Sequence, residues 1–155
     1  HIAVASFKLS KKTTGSQIDS AARKPLKKIK LDYPHGTGHG VGYFLNVHEG
    51  PQAISKKNNI CFQDGMIISN EPGYYEKGKF GIRIENLLRV KKNGKKIVFD
   101  NLTLAPIDKS LIDKKNLNFD EINWLNKYHN RVFTSLKKFM NKSEIEDLKL
   151  ACSRI

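Results

Sequence analysis

Apolar residues recur at helical spacing in two segments near the start of the chain. Residues 1–9, with the sequence HIAVASFKL, begin in an apolar run that predicts a helix. A second helix is predicted from Ser16 to about Lys30, although Pro25 limits its regularity. The apolar positions that share one face of this second helix are Ile18, Ala21, Ala22 and Leu26.

After Gly38 the spacing of apolar residues shortens towards two, which is typical of β-strands. The dipeptide Asn93-Gly94 separates the last two of these segments and is a strong signal for a tight hairpin turn. The predicted strands cover residues 41–47, 65–71, 80–92 and 95–104. Within the third strand, the alternation places Arg83 and Glu85 on the same face.

Helical spacing returns in the last third of the chain. Asp120 and Glu121 suit the positive end of a helix dipole and open a helix that is predicted to reach about Met140. A shorter helix is predicted to follow, with Ser143 as its cap. The apolar stripe of the longer helix includes Trp124, Leu125, Tyr128, Val132, Leu136 and Phe139. Such a stripe has to be buried, either against the chain's own sheet or in a subunit contact.

The composition is that of a soluble globular protein with one domain's worth of chain. Hydrophobic residues make up 39% of the 155 positions and charged residues 28%, which is ordinary for a folded domain. No run approaches the roughly 18 apolar residues of a membrane span, so no membrane partner is expected. Cys61 and Cys152 lack the spacing of a metal site and are interpreted as free thiols, although one pair leaves a disulfide open.

The net charge of +13 raises the question of nucleic-acid binding, because basic faces attract phosphate backbones. The basic residues are mostly lysines in scattered pairs, and they do not alternate with aromatic residues in one stripe. A general bias towards lysine and asparagine explains this pattern better. No nucleic-acid partner is therefore predicted.

Three of the chain's five histidines, His35, His39 and His48, lie within fourteen residues. The first two are embedded in a glycine-rich run that allows close backbone approach. Imidazole is a common metal ligand and also transfers protons near neutral pH. The alternative is a glycine-rich turn that carries histidines without a function.

Two carboxylates occur where ordinary strands would not carry them. Glu71 directly follows an apolar run and precedes Pro-Gly, and Glu85 lies between Ile84 and Asn86. A buried carboxylate is costly unless it is paired or binds a metal. One histidine and two glutamates from separate strands are the ligand chemistry of a divalent-metal site. For Glu85, an Arg-Glu ladder on the wet face of the sheet remains an alternative.

Four ordered motifs in the chain resemble one enzyme family. They are HGTGHGVG (35–42), NVHEGP (46–51), GMIISNEPGYYE (65–76) and FGIRIENLLRV (80–90). They resemble the C-terminal half of the catalytic domain of Xaa-Pro aminopeptidases, or aminopeptidase P, of the cytosolic eukaryotic type. These enzymes are creatinase/methionine aminopeptidase-like metallopeptidases with the "pita-bread" fold. The resemblance extends through LTLAPID (102–108) and INWLNKYH (122–129), and back to HIAVA (1–5) and IDSAARKPL (18–26).

The resemblance implies two divalent metal ions, usually manganese, which activate water for attack on the peptide bond before proline. It implies that His39, Glu71 and Glu85 are metal ligands. His35 and His48 would be catalytic, binding substrate and stabilising or protonating the intermediate. Arg83 would steady a ligand carboxylate, and Tyr75 would shape the wall that faces proline. Peptides with an Xaa-Pro N-terminus, a cytoplasmic location and a homodimer are also implied.

One departure from the family concerns two further aspartate ligands, which lie upstream of the segment where this chain starts. Asp19 and Asp32 precede His39 but do not stand in the family's aspartate motifs. We therefore expect a fragment of a longer protein that is inactive alone. The expected fold is α+β: an incomplete pita-bread domain with a curved antiparallel sheet and helices in residues 1–106, and a C-terminal helical extension in 107–155.

The competing hypothesis is a pita-bread-like module that binds peptides or proteins without catalysis. Such a module is expected to lose the ligands, whereas His39, Glu71 and Glu85 are all present. This favours the enzyme.

Overall fold

The computed structural model describes residues 1–44 and 46–155, and divides them into two compact units. The N-terminal unit is His1–Thr103 and the C-terminal unit is Leu104–Ile155. The boundary that the sequence predicts between the catalytic-domain part (1–106) and the helical extension (107–155) stays a prediction.

Both predicted helices at the start of the chain are confirmed, as α1 (Ile2–Ala5) and α2 (Gly15–Lys28). The side chain of Gln17 accepts a hydrogen bond from the Thr14 backbone N–H at 3.0 Å, which satisfies a donor that the helix itself leaves unpaired. Pro25 lies in the third turn without ending the helix. The helix thus runs two residues short of the predicted end.

The described residues of the N-terminal unit form seven strands in three antiparallel groups. They are β1 (Gly38–His39), β2 (Ala53–Ile54), β3 (Ile67–Asn70), β4 (Gly73–Glu76), β5 (Phe80–Arg83), β6 (Asn86–Asn93) and β7 (Lys96–Asn101). β1 pairs with β2, β4 pairs with β5, and β6 lies between β3 and β7. An isolated bridge between Gly40 and Ile68 joins the β1 end to β3. The predicted hairpin at Asn93-Gly94 is confirmed, and Gly94 has the positive φ of +58° that favours glycine.

The prediction of a single strand for residues 80–92 is wrong, because residues 84 and 85 do not belong to a strand and separate β5 from β6. β5 pairs with β4, whereas β6 pairs with β3. The backbone has to change its partner between them, and hydrophobic alternation carries no information about which strand is the partner. Glu85 therefore lies at a strand junction.

The strand predicted for residues 41–47 is also wrong for the residues that are described, while Leu45 lies outside them. The Gly42 N–H donates to Asn46 O at 2.9 Å, and the Glu49 N–H donates to Gly40 O at 2.9 Å. These bonds turn the chain back on itself. Tyr43, Phe44 and Val47 are all exposed, so the described part of this segment shows no buried face.

One hydrophobic core fills the N-terminal unit, between the helices and the three-stranded sheet. Its buried residues are Val4, Ile18, Ala22, Ile54, Phe62, Ile68, Leu88 and Val90. Both helices contribute to it, together with the strands β2, β3 and β6. The described helices include none with the length and apolar composition needed to cross a bilayer. Both cysteines are free thiols, as predicted.

The C-terminal unit is built on α3 (Phe119–Leu136) and α4 (Lys142–Ala151). α3 ends at Leu136, short of the predicted end near Met140, and Phe139 at the end of the predicted stripe is 77% exposed. The rest of the stripe forms a second core, in which Leu125, Tyr128 and Val132 pack with Leu148. This part of the stripe is therefore buried within its own unit. The Asn141 side chain accepts from the Glu144 N–H at 3.0 Å and caps α4, so the prediction of Ser143 as the cap is wrong.

His129 in this unit gives a prediction for pH dependence. The ring is fully buried, and its Nε2 accepts a hydrogen bond from the Ile107 N–H at 3.1 Å. Burial, helped by the charge of Lys109, lowers the pKa of His129 below its ordinary value. The unfolded chain therefore takes up a proton near pH 6.5 while the folded ring stays neutral.

We expect the C-terminal unit to keep its full stability above about pH 6.5 and to lose up to about 1.4 kcal/mol per pH unit below it. Trp124, the one tryptophan in the sequence, reports unfolding of this unit through its fluorescence in urea titrations at several pH values. His129→Gln is the control, because glutamine does not titrate. An equal pH slope in both proteins would contradict the assignment to His129.

Candidate metal centre

β1 carries His39 to the centre of the site, and Gly38 makes this placement possible. A Cβ at Gly38 would lie 1.9 Å from the Ser69 carbonyl oxygen, so no other residue allows this approach of β1 to β3. The His39 N–H then donates to Ser69 Oγ at 2.9 Å. The glycine-rich sequence thus has a structural cause: it brings two backbones together beside an imidazole.

Glu71 follows β3 and is only 7% exposed. Its Oε1 accepts a hydrogen bond from Ser69 Oγ at 2.7 Å, and its Oε2 accepts from Arg83 Nη1 at 3.1 Å. The Glu71 N–H is also held, since it donates to Thr37 O at 2.8 Å. The carboxylate is therefore fixed in orientation and partly neutralised, as buried charge requires.

His39, Glu71 and Glu85 each offer one ligand atom, and these atoms lie within 4.8 Å of one another. His39 Nε2 is 3.2 Å from Glu71 Oε1. His39 Nδ1 lies 2.9 Å from Gly40 O and donates to it, which leaves the Nε2 lone pair on the carboxylate side. One imidazole and two carboxylates fit a divalent cation, and the two negative charges match its charge.

The exposure of Glu85 bears on the surface-ladder alternative. Glu85 is exposed, whereas Glu71 is buried. However, Arg83 forms an ion pair with Glu71 across 3.1 Å, whereas the surface-ladder alternative paired it with Glu85. Residues two apart share a face only along a continuous strand. Because the strand is interrupted at residues 84 and 85, Arg83 and Glu85 need not lie on the same face.

A second line of contacts runs beside the three donors. His35 Nδ1 donates to Gly36 O at 2.7 Å, and its Nε2 is hydrogen-bonded to the Tyr75 hydroxyl at 2.8 Å. The same hydroxyl oxygen accepts from Arg83 Nε at 2.9 Å. This bond to Tyr75, together with the carboxylates of Glu71 and Glu85, raises the pKa of Arg83 against the effect of burial. Arg83 therefore stays charged and links His35 to Glu71.

The His48 ring packs against the His39 ring. The two imidazole rings have centroids 4.0 Å apart, at an angle of 43°. The turn between Gly40 and Glu49 returns the chain to this point. All seven residues singled out from the sequence thus lie in one connected group of contacts.

Sequence reasoning missed Ser69, whose hydroxyl joins the His39 backbone to the Glu71 carboxylate. Ser69 is fully buried in β3. The available signal was a serine directly after the apolar residues of the strand, with the carboxylate of Glu71 two positions later. Strand residues at that spacing share a face.

The chain matches a described family over most of its length. Residues 1–92 match the model of metallopeptidase family M24, and residues 96–155 match the C-terminal region of peptidase M24. Among curated proteins, it is 46% identical to "Xaa-Pro aminopeptidase 1" of Dictyostelium discoideum, with 96% of this chain and 26% of that protein covered. It is 45% identical to "Aminopeptidase P1" of Arabidopsis thaliana, with 97% and 25% covered.

Solved structures give the same picture for the fold. X-prolyl aminopeptidase from Caenorhabditis elegans, described as a cytosolic enzyme with a di-nuclear active site, matches with a TM-score of 0.89 and 41% identity over 100% of this chain and 27% of that one. Prolidase from Pyrococcus furiosus matches with a TM-score of 0.57 and 32% identity, covering 66% of this chain and 28% of that one. The predicted α+β, pita-bread-type fold is confirmed, and the chain holds part of it. It spans about a quarter of the length of these relatives.

Proposed function

The chain belongs to metallopeptidase family M24, and on this premise we propose that it supplies part of the active site of a metal-dependent Xaa-Pro aminopeptidase. The observation that carries the proposal is the convergence of His39, Glu71 and Glu85, with ligand atoms within 4.8 Å. These three residues would hold metal. The names of the curated relatives support cleavage after the first residue of peptides with proline in second position.

The bound metal would supply Lewis-acid activation of water and of the substrate carbonyl. The chain's own residues would then act on the substrate. His48, whose ring lies against that of His39, would stabilise or protonate the intermediate. His35 is oriented by its hydrogen bonds to the Gly36 carbonyl and the Tyr75 hydroxyl, and would contact the substrate.

Arg83 and Tyr75 have supporting roles in this proposal. Arg83 Nη1 steadies the Glu71 carboxylate at 3.1 Å, and Arg83 Nε donates to the Tyr75 hydroxyl. Tyr75 is 39% exposed, so its ring remains available as a wall for the proline of the substrate. The guanidinium of Arg83 would hold the Glu71 carboxylate and the Tyr75 hydroxyl in fixed positions relative to each other.

Three finer points belong to the proposal. We infer two divalent ions, with manganese as their identity, and a di-nuclear site in the Caenorhabditis elegans relative supports the number. The same relative's description as cytosolic supports a cytoplasmic location. We also propose a homodimer. Its contact would need apolar residues of the C-terminal unit other than the buried stripe, such as the exposed Phe119 and Leu150.

The function is tested on the protein that carries this chain. We expect it to remove the first residue from a tripeptide with proline in second position, and to leave the matching peptide with alanine there largely intact. A chelator should abolish the activity, and added Mn²⁺ should restore it, because the ligands hold the cation that activates water. Intact metal content without cleavage, or equal cleavage of both peptides, would contradict the proposal.

A further inference from the structure

Arg23 is a buried arginine on α2 that no step of the proposed reaction uses. Its side chain is 2% exposed. Its Nε donates to Asp19 Oδ2 at 2.8 Å, and its Nη1 donates to Asp32 Oδ1 at 2.6 Å and to Tyr33 O at 2.8 Å. Its Nη2 donates to His35 O at 2.5 Å. One guanidinium therefore binds the loop at three positions, the last of which is the backbone of His35.

Asp19, one helical turn before Arg23, holds the other side of His35. Its Oδ1 accepts a hydrogen bond from Thr37 Oγ1 at 2.7 Å, and both side chains are almost fully buried. The Tyr33 hydroxyl bonds the same Thr37 oxygen. The Asp19–Arg23 pair thus fixes the residues on both sides of His35 from a single turn of a helix.

Thr37 passes this constraint on to the candidate metal ligands. Its N–H donates to Ile54 O in β2 at 2.8 Å, and its carbonyl oxygen accepts from the Glu71 N–H at 2.8 Å. His35 and the backbone of Glu71 are therefore held by neighbouring residues of one short segment. A shift of this segment would move both.

The chemistry of the Asp19–Arg23 pair indicates that it binds the loop in a fixed orientation and does more than fill space in the core. Burying charged groups is costly, and apolar residues of similar volume are often as good or better for stability. The planar fork of arginine, in contrast, binds several acceptors in fixed directions. Its charge also acts on Asp32: burial raises the pKa of Asp32, but the hydrogen bonds from Arg23 and the Tyr33 N–H outweigh this and lower it to about 2. Asp32 stays ionised and bound.

From these contacts we infer that Asp19 and Arg23 are positioning residues, which set the place of the His35 imidazole relative to Glu71 and Tyr75. The inference rests on the proposed function for the meaning of that place. Neither residue belongs to the group of donors around the metal, and each acts through the segment of residues 32–37. His35 is presented to Tyr75 because α2 holds its carbonyl from behind.

A double-mutant cycle in the protein that carries this chain tests the inference. Arg23→Lys keeps the charge but loses the fork. It is expected to lower kcat/KM for the proline tripeptide by about 10- to 100-fold, the effect of misplacing a reacting group by about 1 Å. Metal content should remain that of the wild type. In a His35→Ala background, Arg23→Lys should cause little further loss, because the residue acts through His35.

Arg89→Lys is the matched control, since Arg89 lies exposed on β6 of the same unit, and we expect wild-type kinetics from it. Independent, multiplying losses from Arg23→Lys and His35→Ala would overturn the inference. So would a wild-type kcat/KM in Arg23→Lys.

Thr37 provides a second pair of variants in case Arg23→Lys does not fold. Thr37→Val removes the hydroxyl that Asp19 holds, whereas Thr37→Ser keeps it. Hydrogen exchange of the Thr37 and Glu71 amides should accelerate at least about tenfold in Thr37→Val and stay close to wild type in Thr37→Ser. This measurement needs no enzymatic activity. If the protein cleaves no proline peptide, the proposed function fails, yet unchanged exchange in Thr37→Val is what would overturn the positioning role.

Discussion

Replacing Glu71 with glutamine is expected to release metal and to lower the peptidase activity by more than about 100-fold. Second-layer partners of metal ligands are themselves worth about 10- to 100-fold, and a ligand contributes more. Glutamine keeps the shape of the side chain but removes a negative charge from the three donors that lie within 4.8 Å. It also leaves Arg83 without the carboxylate that it binds at 3.1 Å.

His39→Ala and Glu85→Gln should give the same two losses, because each removes one donor of the same set. Metal content by elemental analysis, and kcat/KM on the proline tripeptide, are the measurements. Glu76→Gln is the matched control: its carboxylate is bound by the Tyr74 hydroxyl at 2.8 Å and by Lys79, outside the donor set. It should behave as wild type.

His48→Ala separates the roles of the two neighbouring histidines. The His48 ring lies 4.0 Å from that of His39, so a structural disturbance would reach both. We expect His48→Ala to keep its metal and to lose turnover, since the side chain acts on the intermediate. Metal loss in His48→Ala with full metal in His39→Ala would reverse the assignment of ligand and catalytic histidine.

The second large effect is expected in the C-terminal unit, where Leu125→Asp should unfold α3 and α4. Leu125 is 3% exposed and packs with Tyr128, Val132 and Leu148. Truncating such a leucine already costs about 2–5 kcal/mol. A buried carboxylate without a partner adds to this loss. A unit this small rarely has more than about 3–5 kcal/mol of stability.

Trp124 makes the measurement specific, because the sequence has no other tryptophan and this one lies in α3. Its fluorescence and the helical circular dichroism should both change in Leu125→Asp. Leu111→Asp is the control in the same unit, since Leu111 is 74% exposed. If Leu125→Asp stays folded and instead dissociates a dimer in light scattering, the stripe is a subunit contact after all.

The C-terminal stripe shows how far periodicity reaches. The spacing of Leu125, Tyr128 and Val132 correctly predicted a helix with one buried face. It did not say what covers that face, because a sheet, a second subunit and another helix of the same unit all offer apolar surface. Packing against Leu148 of α4 is a long-range contact, and no local pattern encodes its partner.

What the sequence determined by itself was the chemistry of the donor group. A carboxylate after an apolar run, such as Glu71, is costly in that position unless it has a partner, whereas His39 and Glu85 were recognised as donor types that suit a divalent metal. These residue types can be recognised locally, and the three side chains do converge. The helices and the hairpin at Asn93-Gly94 followed from local propensities in the same way.

The tertiary structure decided which strands are partners and which polar groups share a charge. β5 and β6 pair with different strands, so the strand is interrupted at residues 84 and 85. Arg83 forms its ion pair with Glu71 and not with its near neighbour Glu85. The burial of Arg23 and its hydrogen bonds to Asp32 and to the His35 carbonyl depend on the contacts of α2 with residues 32–37. Hydrogen bonds between segments that are distant along the chain are selected by geometry in the folded state, and this is why periodicity and composition alone did not predict them.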